Sequence, residues 1–208
     1  MKGLLLKDLY MCRAYCRNYL FIALIFIAAG FISYGNMFFM FYPCMLAAMV
    51  PVSLLGYDER SRWCDYCRTM PYSKAQIVSA KYLIGLILQL AVLMICSLAM
   101  AVKLSVVESA AWGELGVFLM TLVCVSCLVS SISMPFMFKY GVEKGRIAYY
   151  VMVGVAAGGS VIAAKLFEER FSLQISPSGL LPLMCGLSVL IFALSWYLSI
   201  VFYKKREC

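Results

Sequence analysis

Long apolar runs alternate with short polar segments along this chain of 208 residues. A helix that crosses the hydrocarbon core of a bilayer needs about 20 predominantly apolar residues. Runs that approach this length lie at 19–36, 37–57, 82–102, 114–136, 147–164 and 179–203. The turn-forming pair Gly35-Asn36 separates the first two runs. The pattern predicts an all-α integral membrane protein with six transmembrane helices in a single domain, 1–208.

The composition agrees with a protein that lies mostly in lipid. Apolar residues make up 64% of the chain and charged residues 13%, against about 45–50% and about 25% in soluble domains. The apolar residues occur in blocks rather than between cysteines, which excludes a small secreted disulfide scaffold. Ten cysteines without such a framework fit a reduced compartment or a lipid environment. No cleavable signal peptide is predicted before the first run.

The distribution of lysine and arginine predicts the orientation of the spans. Fifteen of the 18 basic residues lie in the N-terminal segment, the loops 58–81 and 137–146, and the C-terminal tail. Only Lys103, Lys165 and Arg170 lie in the opposite set of loops. Because short loops rich in lysine and arginine remain on the cytoplasmic side, both termini and both basic loops are predicted to face the cytoplasm. Basic residues that flank apolar runs explain the net charge of +8 without a nucleic-acid partner.

The N-terminal segment, 1–18, is too polar to span a bilayer but is amphipathic as a helix. One half of this helix carries Leu4, Leu5, Leu9, Met11, Cys12, Tyr15 and Cys16. The other half carries the basic residues Lys2, Lys7, Arg13 and Arg17. Asp8 is the one charge on the apolar half. The pattern predicts an interfacial helix on the anionic inner leaflet, and the alternative is a simple extension of the first span.

Residues able to power transport or catalysis are missing from the predicted spans. The chain has no histidine, and its clearly intramembrane positions carry no charge, whereas ion-coupled transport needs ionisable groups along the path. No Gly-x-x-x-x-Gly-Lys-Ser/Thr sequence is present to hold ATP. The chain is therefore predicted not to be an enzyme and to hold no cofactor of its own. Work across the membrane must then be powered by another protein.

Cysteine and serine patterns have both functional and structural interpretations. Two pairs have the Cys-x-x-Cys spacing of metal or redox sites, namely Cys64 with Cys67 and Cys124 with Cys127. The second pair lies inside an apolar run, where cysteine behaves as a small hydrophobic residue, and no metal site is predicted. The serines of the fourth span are interpreted as helix-packing residues; they are Ser126, Ser130, Ser131 and Ser133.

The loop 58–81 is the longest basic segment between spans. Three large apolar side chains recur at i, i+3 and i+7, namely Trp63, Tyr66 and Met70. This spacing predicts one apolar face of a short helix, which Pro71 is expected to end. Ser73 and Gln76 form a capping box that predicts the start of the next helix. A rigid helix–turn–helix below the membrane is suited to receive a push from a soluble partner, and the alternative is a solvated connector.

The second basic loop, 137–146, contains the sequence Glu143-Lys144-Gly145-Arg146. Gly145 is expected to permit a tight turn at a crowded position, with charged residues on both sides. The loop is predicted to anchor the inner ends of the fourth and fifth spans, in contact with an ATPase or with lipid headgroups. The alternative is a charged turn that only sets topology.

Both loops resemble those of a known family. The patterns Asp-Glu-x-x-x-Trp-x-x-Tyr at 58–66, Met-Pro-x-Ser at 70–73 and Ile-Val-x-x-Lys-Tyr at 77–82 resemble the coupling loop of small bacterial ABC-2-type permeases. The segment 138–147 is similar to their second cytoplasmic loop, and Leu-Leu-Leu-Lys-Asp-Leu at 4–9 is a weaker match. The chain especially resembles the small six-span permeases found with peptide and antimicrobial exporters.

The resemblance implies a permease with the ABC-2 (type V-like) exporter fold in the inner membrane of a bacterial cell. It also implies a second permease chain, identical or different, and a separate ABC ATPase that holds ATP and Mg²⁺. The residues expected at the ATPase-coupling site are Asp58, Glu59, Arg62, Trp63, Tyr66, Pro71 and Lys81. Trp63 and Tyr66 are expected to enter a groove of the ATPase. Asp58, Glu59 and Arg62 are expected at the polar rim of that contact.

The uncharged spans and the resemblance together predict the substrate class. A wall of aromatic, methionine, serine and alanine side chains without fixed charge accommodates an amphipathic molecule rather than an ion or a sugar phosphate. The family association favours an exported peptide or antimicrobial. The alternative function is a membrane immunity or sensor subunit that binds a peptide or a partner without transporting anything.

Overall fold

The computed structural model of the chain describes residues 2–15, 17–32, 38–67, 69–106, 112–147, 150–151 and 177–205. Within these ranges the chain is helical and contains no strand. The helices are α1 (Lys2–Tyr15), α2 (Arg17–Ile32), α3 (Phe38–Arg60), α4 (Trp63–Cys67), α5 (Lys74–Val106), α6 (Trp112–Tyr140), α7 (142–147) and α8 (Pro177–Lys205). A helix satisfies its own backbone hydrogen bonds, which is what a segment in lipid requires.

Four of the described helices are long and apolar enough to cross a membrane. The qualifying stretches are Phe41–Arg60, Lys74–Lys103, Leu115–Tyr140 and Leu181–Lys205. They correspond to the predicted spans 37–57, 82–102, 114–136 and 179–203. A fifth crossing is possible only if α1 and α2 are taken together, as a pair bent by 63°. The predicted span 147–164, apart from 147 and 150–151, and the turn Gly35-Asn36 lie outside the described residues.

The central helix of the bundle is α3. It is the most buried of the four candidate spans and packs against α2, α5 and α6, while α8 packs against α6 and α5. A Cβ atom on Gly85 of α5 would lie 2.7 Å from Cγ of Pro51. The missing side chain therefore lets α5 pack directly on the proline ring in α3. We call the end of the bundle at which α3 ends and α5 begins the loop end.

Serine hydroxyls on α6 and α8 are used inside the bundle. Ser131 donates from Oγ to the carbonyl of Cys127 at 2.6 Å, and Ser195 on α8 donates to the carbonyl of Ser131 at 2.8 Å. Ser126 and Ser133 donate to carbonyls three residues earlier in α6. These bonds within and between neighbouring helices agree with the packing role predicted from the sequence.

Helix α1 forms as predicted, but its faces differ from the predicted division. The residues buried on α1 are Leu4, Asp8 and Cys12, and they face α3 and α5. Leu9 and Tyr15 were predicted on the apolar half and are about half exposed, at 48% and 54%. The prediction was wrong because the apolar pattern cannot distinguish a side that contacts protein from one that faces outward.

Candidate functional site

The chain leaves α3 through a tight turn at Arg62. Its φ angle is 51°, in the left-handed region that non-glycine residues seldom adopt. The backbone N–H of Arg62 donates to the carbonyl of Glu59 at 3.2 Å, and that of Asp65 donates to the carbonyl of Arg62 at 3.1 Å. This turn directs the short helix α4 across the loop end of the bundle.

The predicted helix through Met70 is shorter than expected. Helix α4 ends at Cys67, and Met70 lies in a turn that follows it, where its N–H donates to the carbonyl of Cys67 at 3.3 Å. The hydroxyl of Thr69 donates to the carbonyl of Tyr66 at 2.8 Å, which competes with continuation of the helix. Pro71 therefore lies beyond the end of the helix and does not terminate it, so that prediction was wrong.

The two aromatic residues of α4 face different surroundings. Trp63 is partly buried and packs against the core formed by α3, α5, α6 and α8. Tyr66 is 57% exposed, with its ring centroid 5.5 Å from that of Trp63. The structure thus presents Tyr66 outward, supported from behind by the indole.

The capping box predicted at the start of α5 is confirmed. The N–H of Gln76 donates to Oγ of Ser73 at 3.3 Å, and the N–H of Ser73 donates to Oε1 of Gln76 at 3.1 Å. Helix α5 begins at Lys74. The reciprocal bonds satisfy two backbone donors that the first turn of a helix leaves unpaired.

Behind α4 lies a buried group of two lysines and two aspartates, which we call the ion cluster: Lys7, Asp8, Asp58 and Lys81. Nζ of Lys81 lies 2.7 Å from Oδ1 of Asp8 and 2.6 Å from Oδ2 of Asp58. Nζ of Lys7 lies 2.6 Å from Oδ1 of Asp58 and 3.3 Å from Oδ1 of Asp8. The four side chains form a closed ring of alternating charge that joins α1, α3 and α5.

The ion cluster is almost completely removed from solvent. The side chain of Asp8 is 0% exposed, that of Lys81 2% and that of Asp58 10%. Oδ2 of Asp8 has no hydrogen-bond partner among the described residues. Buried charges of this kind are costly unless each has its counterion, and removing one member leaves an uncompensated charge. The cluster therefore keeps α1, α3 and α5 in one arrangement.

The loop 58–81 also contacts α1 outside the ion cluster. Nζ of Lys7 lies 4.0 Å from the centroid of the Trp63 ring, within the range of a cation–π interaction. A Cβ atom on Gly3 would lie 3.4 Å from the hydroxyl of Tyr72. Helix α1 is thus packed along the inner side of the loop.

The residue after Lys81 ties the same turn of α5 to α8. Oη of Tyr82 lies 2.9 Å from Oγ of Ser195 and 2.7 Å from Oγ of Ser199. Its ring stacks on Trp196 with centroids 5.4 Å apart, and Trp196 in turn donates from Nε1 to Oγ of Ser79 at 3.2 Å. The Lys-Tyr pair therefore connects the start of α5 to α1 and α3 through Lys81, and to α8 through Tyr82.

In the second loop the turn is made by a different glycine from the one predicted. Gly141 has a φ angle of 83°, whereas Gly145 lies within α7. A Cβ atom on Gly145 would lie 2.7 Å from Sδ of Met137 and 3.1 Å from the carbonyl oxygen of Phe136. Gly145 therefore occupies a crowded position, as expected, but it permits close packing of α7 on α6 rather than a turn.

Glu59 brings the two predicted loops together. Its Oε2 accepts a hydrogen bond from the backbone N–H of Val142 at 2.9 Å, at the start of α7. Three predicted residues of the second loop, Glu143, Lys144 and Arg146, are exposed and line a cleft together with Glu59. The structure thus places Asp58 and Lys81 inside the ion cluster, and Glu59 at the second loop.

Residues 3–204 match the sequence profile of a family described as ABC-2 family transporter protein. The chain belongs to the ABC-2 family. It is therefore an ABC-2-type transporter permease and a multi-pass membrane protein, and its family implies association with an ABC ATPase. No curated protein and no solved structure matches the chain.

Two residues of the permease that sequence reasoning left out of the site are Lys7 and Asp8. A signal was present, because Asp8 is the one charge on the otherwise apolar half of α1. An isolated carboxylate on an apolar helical face needs a cationic partner once that face is buried. The sequence did not show which lysine would supply it.

The Cys64-x-x-Cys67 pair does not have the features of a reactive thiol site at its described member. Burial raises the pKa of the Cys67 thiol, and nearby Asp58 raises it further, against smaller opposing effects of Lys7, Trp63 and Lys81. A raised pKa lowers the fraction of thiolate, which is the nucleophilic and metal-binding form. Among the described residues, no group of three or more acidic, cysteine or histidine side chains could hold a metal ion.

Proposed function

We propose that this permease is the membrane half of an ABC exporter, driven by a separate ATPase and paired with a second permease chain. In this proposal it has six spans in a bacterial inner membrane, and its loop end faces the cytoplasm. The concentration of fifteen of 18 basic residues in the termini and the two basic loops supports this orientation.

The ATPase docks on the outer side of α4 in this proposal. Tyr66 is the exposed aromatic residue at that position, and Arg62 and Glu59 flank it on the same segment of chain. Exposed aromatic and arginine side chains are typical anchors of protein interfaces. Trp63 acts from behind, by packing α4 on the bundle.

The ion cluster is the observation that carries the proposal, because it lies directly behind α4 and joins three helices. Opposite charges in a medium of low dielectric attract strongly, and separating them without replacement is costly. A displacement of α4 therefore moves α1, α3 and α5 together rather than bending the loop alone. Tyr82 extends the same motion to α8.

The docking site is tested by co-purification of the permease with the ATPase encoded beside it. Burying an aromatic side chain contributes about 1.5–3 kcal/mol, so Tyr66→Ala is expected to weaken assembly by roughly ten- to a hundredfold. Tyr197→Ala is the matched control, since Tyr197 is 67% exposed on α8 and distant from the loop. Full assembly and full ATPase stimulation with Tyr66→Ala would show that the ATPase does not dock at α4.

The proposed cargo is an amphipathic peptide or antimicrobial. The described spans offer an apolar, methionine-containing surface, with exposed Met94, Leu98 and Met184 among its side chains. The test is ATPase stimulation of the reconstituted complex by a panel of amphipathic peptides, lipids and small polar solutes. Stimulation by polar solutes alone would contradict the cargo class. An assembled complex stimulated by nothing would favour the non-transporting immunity or sensor function instead.

A further inference from the structure

An open cleft of about 650 Å³ lies at the loop end, between α3, the end of α6 and the start of α7. Its wall includes Tyr19 and Arg146. The candidate spans Phe41–Arg60 and Leu115–Tyr140 both end at residues of this wall. The cleft, which we call the Arg146 cleft, therefore opens at the depth where these two spans leave the hydrocarbon core of a bilayer.

Three basic side chains line the Arg146 cleft: Arg60, Lys144 and Arg146. Within the described ranges, no ion pair joins any of them to an acidic side chain. A Cβ atom on Gly56 would lie 3.8 Å from Nη2 of Arg146, so this guanidinium lies back against α3. The cations are thus available to an anion that enters the cleft.

Two acidic residues share the wall, and they differ in their engagement. Glu59 accepts the hydrogen bond from the N–H of Val142, so part of its charge is used at the start of α7. Glu143 is exposed. Three cations against two carboxylates, one of them engaged, leave the cleft positive, which favours an anionic ligand.

Three tyrosines complete the wall: Tyr19, Tyr57 and Tyr140. Tyrosine is enriched at the membrane surface because its ring remains in apolar surroundings while its hydroxyl reaches polar groups. Oη of Tyr19 lies 3.2 Å from Oγ of Ser53, which positions this phenol within the cleft. Hydroxyl groups beside cations match the hydrogen-bonding needs of a phosphate ester with an attached polyol.

We propose that the Arg146 cleft binds the headgroup of an anionic phospholipid, with Arg146 and Lys144 holding its phosphate. A guanidinium presents paired donors that fit phosphate oxygens, and basic pockets between transmembrane helices bind anionic headgroups. The cleft is larger than a bare phosphate ion requires, and its depth leaves the acyl chains beside α3 and α6. A bound lipid holds the start of α7 against α3 at the same place where Glu59 does so.

The test measures lipid retained by the full-length permease in detergent, by native mass spectrometry with phosphatidylglycerol as the probe. Loss of two charge-assisted contacts in Arg146→Gln with Lys144→Gln is expected to lower retention about tenfold or more. The matched control is Lys204→Gln with Lys205→Gln, which removes the same charge. Those lysines are also at the loop end, where Lys74 bonds the carbonyl of Lys204, but they lie outside the cleft. The control is expected to retain lipid like the unaltered protein.

Further arms distinguish the lipid from other anions. Inorganic phosphate and glycerol 3-phosphate in excess are expected to leave phosphatidylglycerol bound; displacement by either at equal concentration would mean a site for soluble phosphate. Equal loss of lipid in the cleft variant and the control would mean non-specific attraction to charge. Loss of ATPase assembly with unchanged lipid retention would mean that the cleft is a protein interface. Each of these three results overturns the proposal.

A second variant guards against misfolding of the first. Arg60 is exposed at the end of α3, so Arg60→Gln is expected to fold normally and to lower lipid retention severalfold. Retention equal to that of the unaltered protein in a folded Arg60→Gln and a folded Lys144→Gln would contradict the proposal. Because none of these measurements requires the ATPase, failure here is distinct from failure of the coupling function.

Discussion

The two basic loops of this permease use their charges in opposite ways. In and beside the loop 58–81, Asp58 and Lys81 are turned inward and paired with Lys7 and Asp8 of α1. In the second loop, Lys144 and Arg146 remain exposed around an open cleft. The first set of charges holds helices together, and the second set is available to a ligand.

The difference arises from a third element rather than from the loops themselves. Both loops are short charged segments between apolar helices, and both contain acidic and basic residues. Helix α1 covers the first loop and supplies one lysine and one aspartate, so that the charges are paired and desolvated. Among the described residues, no helix covers the second loop in this way, and its cations keep contact with solvent.

The largest expected effect comes from breaking the ion cluster. Lys81→Met leaves Asp8 and Asp58 facing each other with Lys7 as their single cation, and we expect the free energy of unfolding to fall by about 3–5 kcal/mol. Lys205→Met, at an exposed position on α8, is the control and is expected to have no measurable effect. Denaturant titration in mixed micelles measures both.

A double variant sharpens the interpretation of that loss. If the cost comes from an unpaired buried carboxylate, replacing Asp8 by leucine in the Lys81→Met background should restore a substantial part of the stability. Further loss in the double variant, of the size of the single loss, would show that packing rather than charge pairing stabilises the junction.

The second loop is expected to be sensitive to volume instead of charge. Gly145→Ala places a methyl group against Met137 and the backbone of α6, and overpacking of this kind costs about 1–3 kcal/mol. Gly116→Ala is the matched control, because no atom lies within 4 Å of its Cβ position. That control is expected to be neutral or slightly stabilising, by up to about 1 kcal/mol. Equal unfolding midpoints for the two variants would contradict the close packing of α7 on α6.

A smaller effect is expected where α5 meets α8. Tyr82→Phe keeps the stacked ring and removes the hydroxyl that lies between Ser195 and Ser199. Hydrogen bonds between membrane helices contribute about 0.6 kcal/mol on average, so a loss near 1 kcal/mol is expected. Tyr197→Phe at an exposed position serves as the comparison. A loss as large as that of Lys81→Met would mean that this contact, and not the ion cluster, dominates the start of α5.

The smallest expected effect completes the comparison of the loops. Lys144→Met removes an exposed cation from the second loop, and the unfolding midpoint should stay within experimental error of the unaltered protein. A loss comparable to that of Lys81→Met would remove the distinction between structural and ligand-binding charges.

Local features of the fold could be predicted from the sequence because they depend on neighbours in the chain. The apolar runs predicted the four helices that qualify as spans, and Ser73 with Gln76 predicted the start of α5. The end of α4 could not be predicted in this way, since the hydroxyl of Thr69 competes for the carbonyl of Tyr66 and ends the helix before Pro71. The role of Gly145 was also missed, because its constraint comes from Met137 on another helix.

The sequence by itself determined that the chain is a helical membrane protein with an unpowered set of spans, because hydropathy, the positions of basic residues and the missing nucleotide motif are properties of composition and order. The tertiary structure alone decided which charges are paired. Asp8 and Lys81 are 73 positions apart, and nothing in either local pattern names the other. They meet because burial of α1 against α3 and α5 requires each desolvated charge to find a counterion.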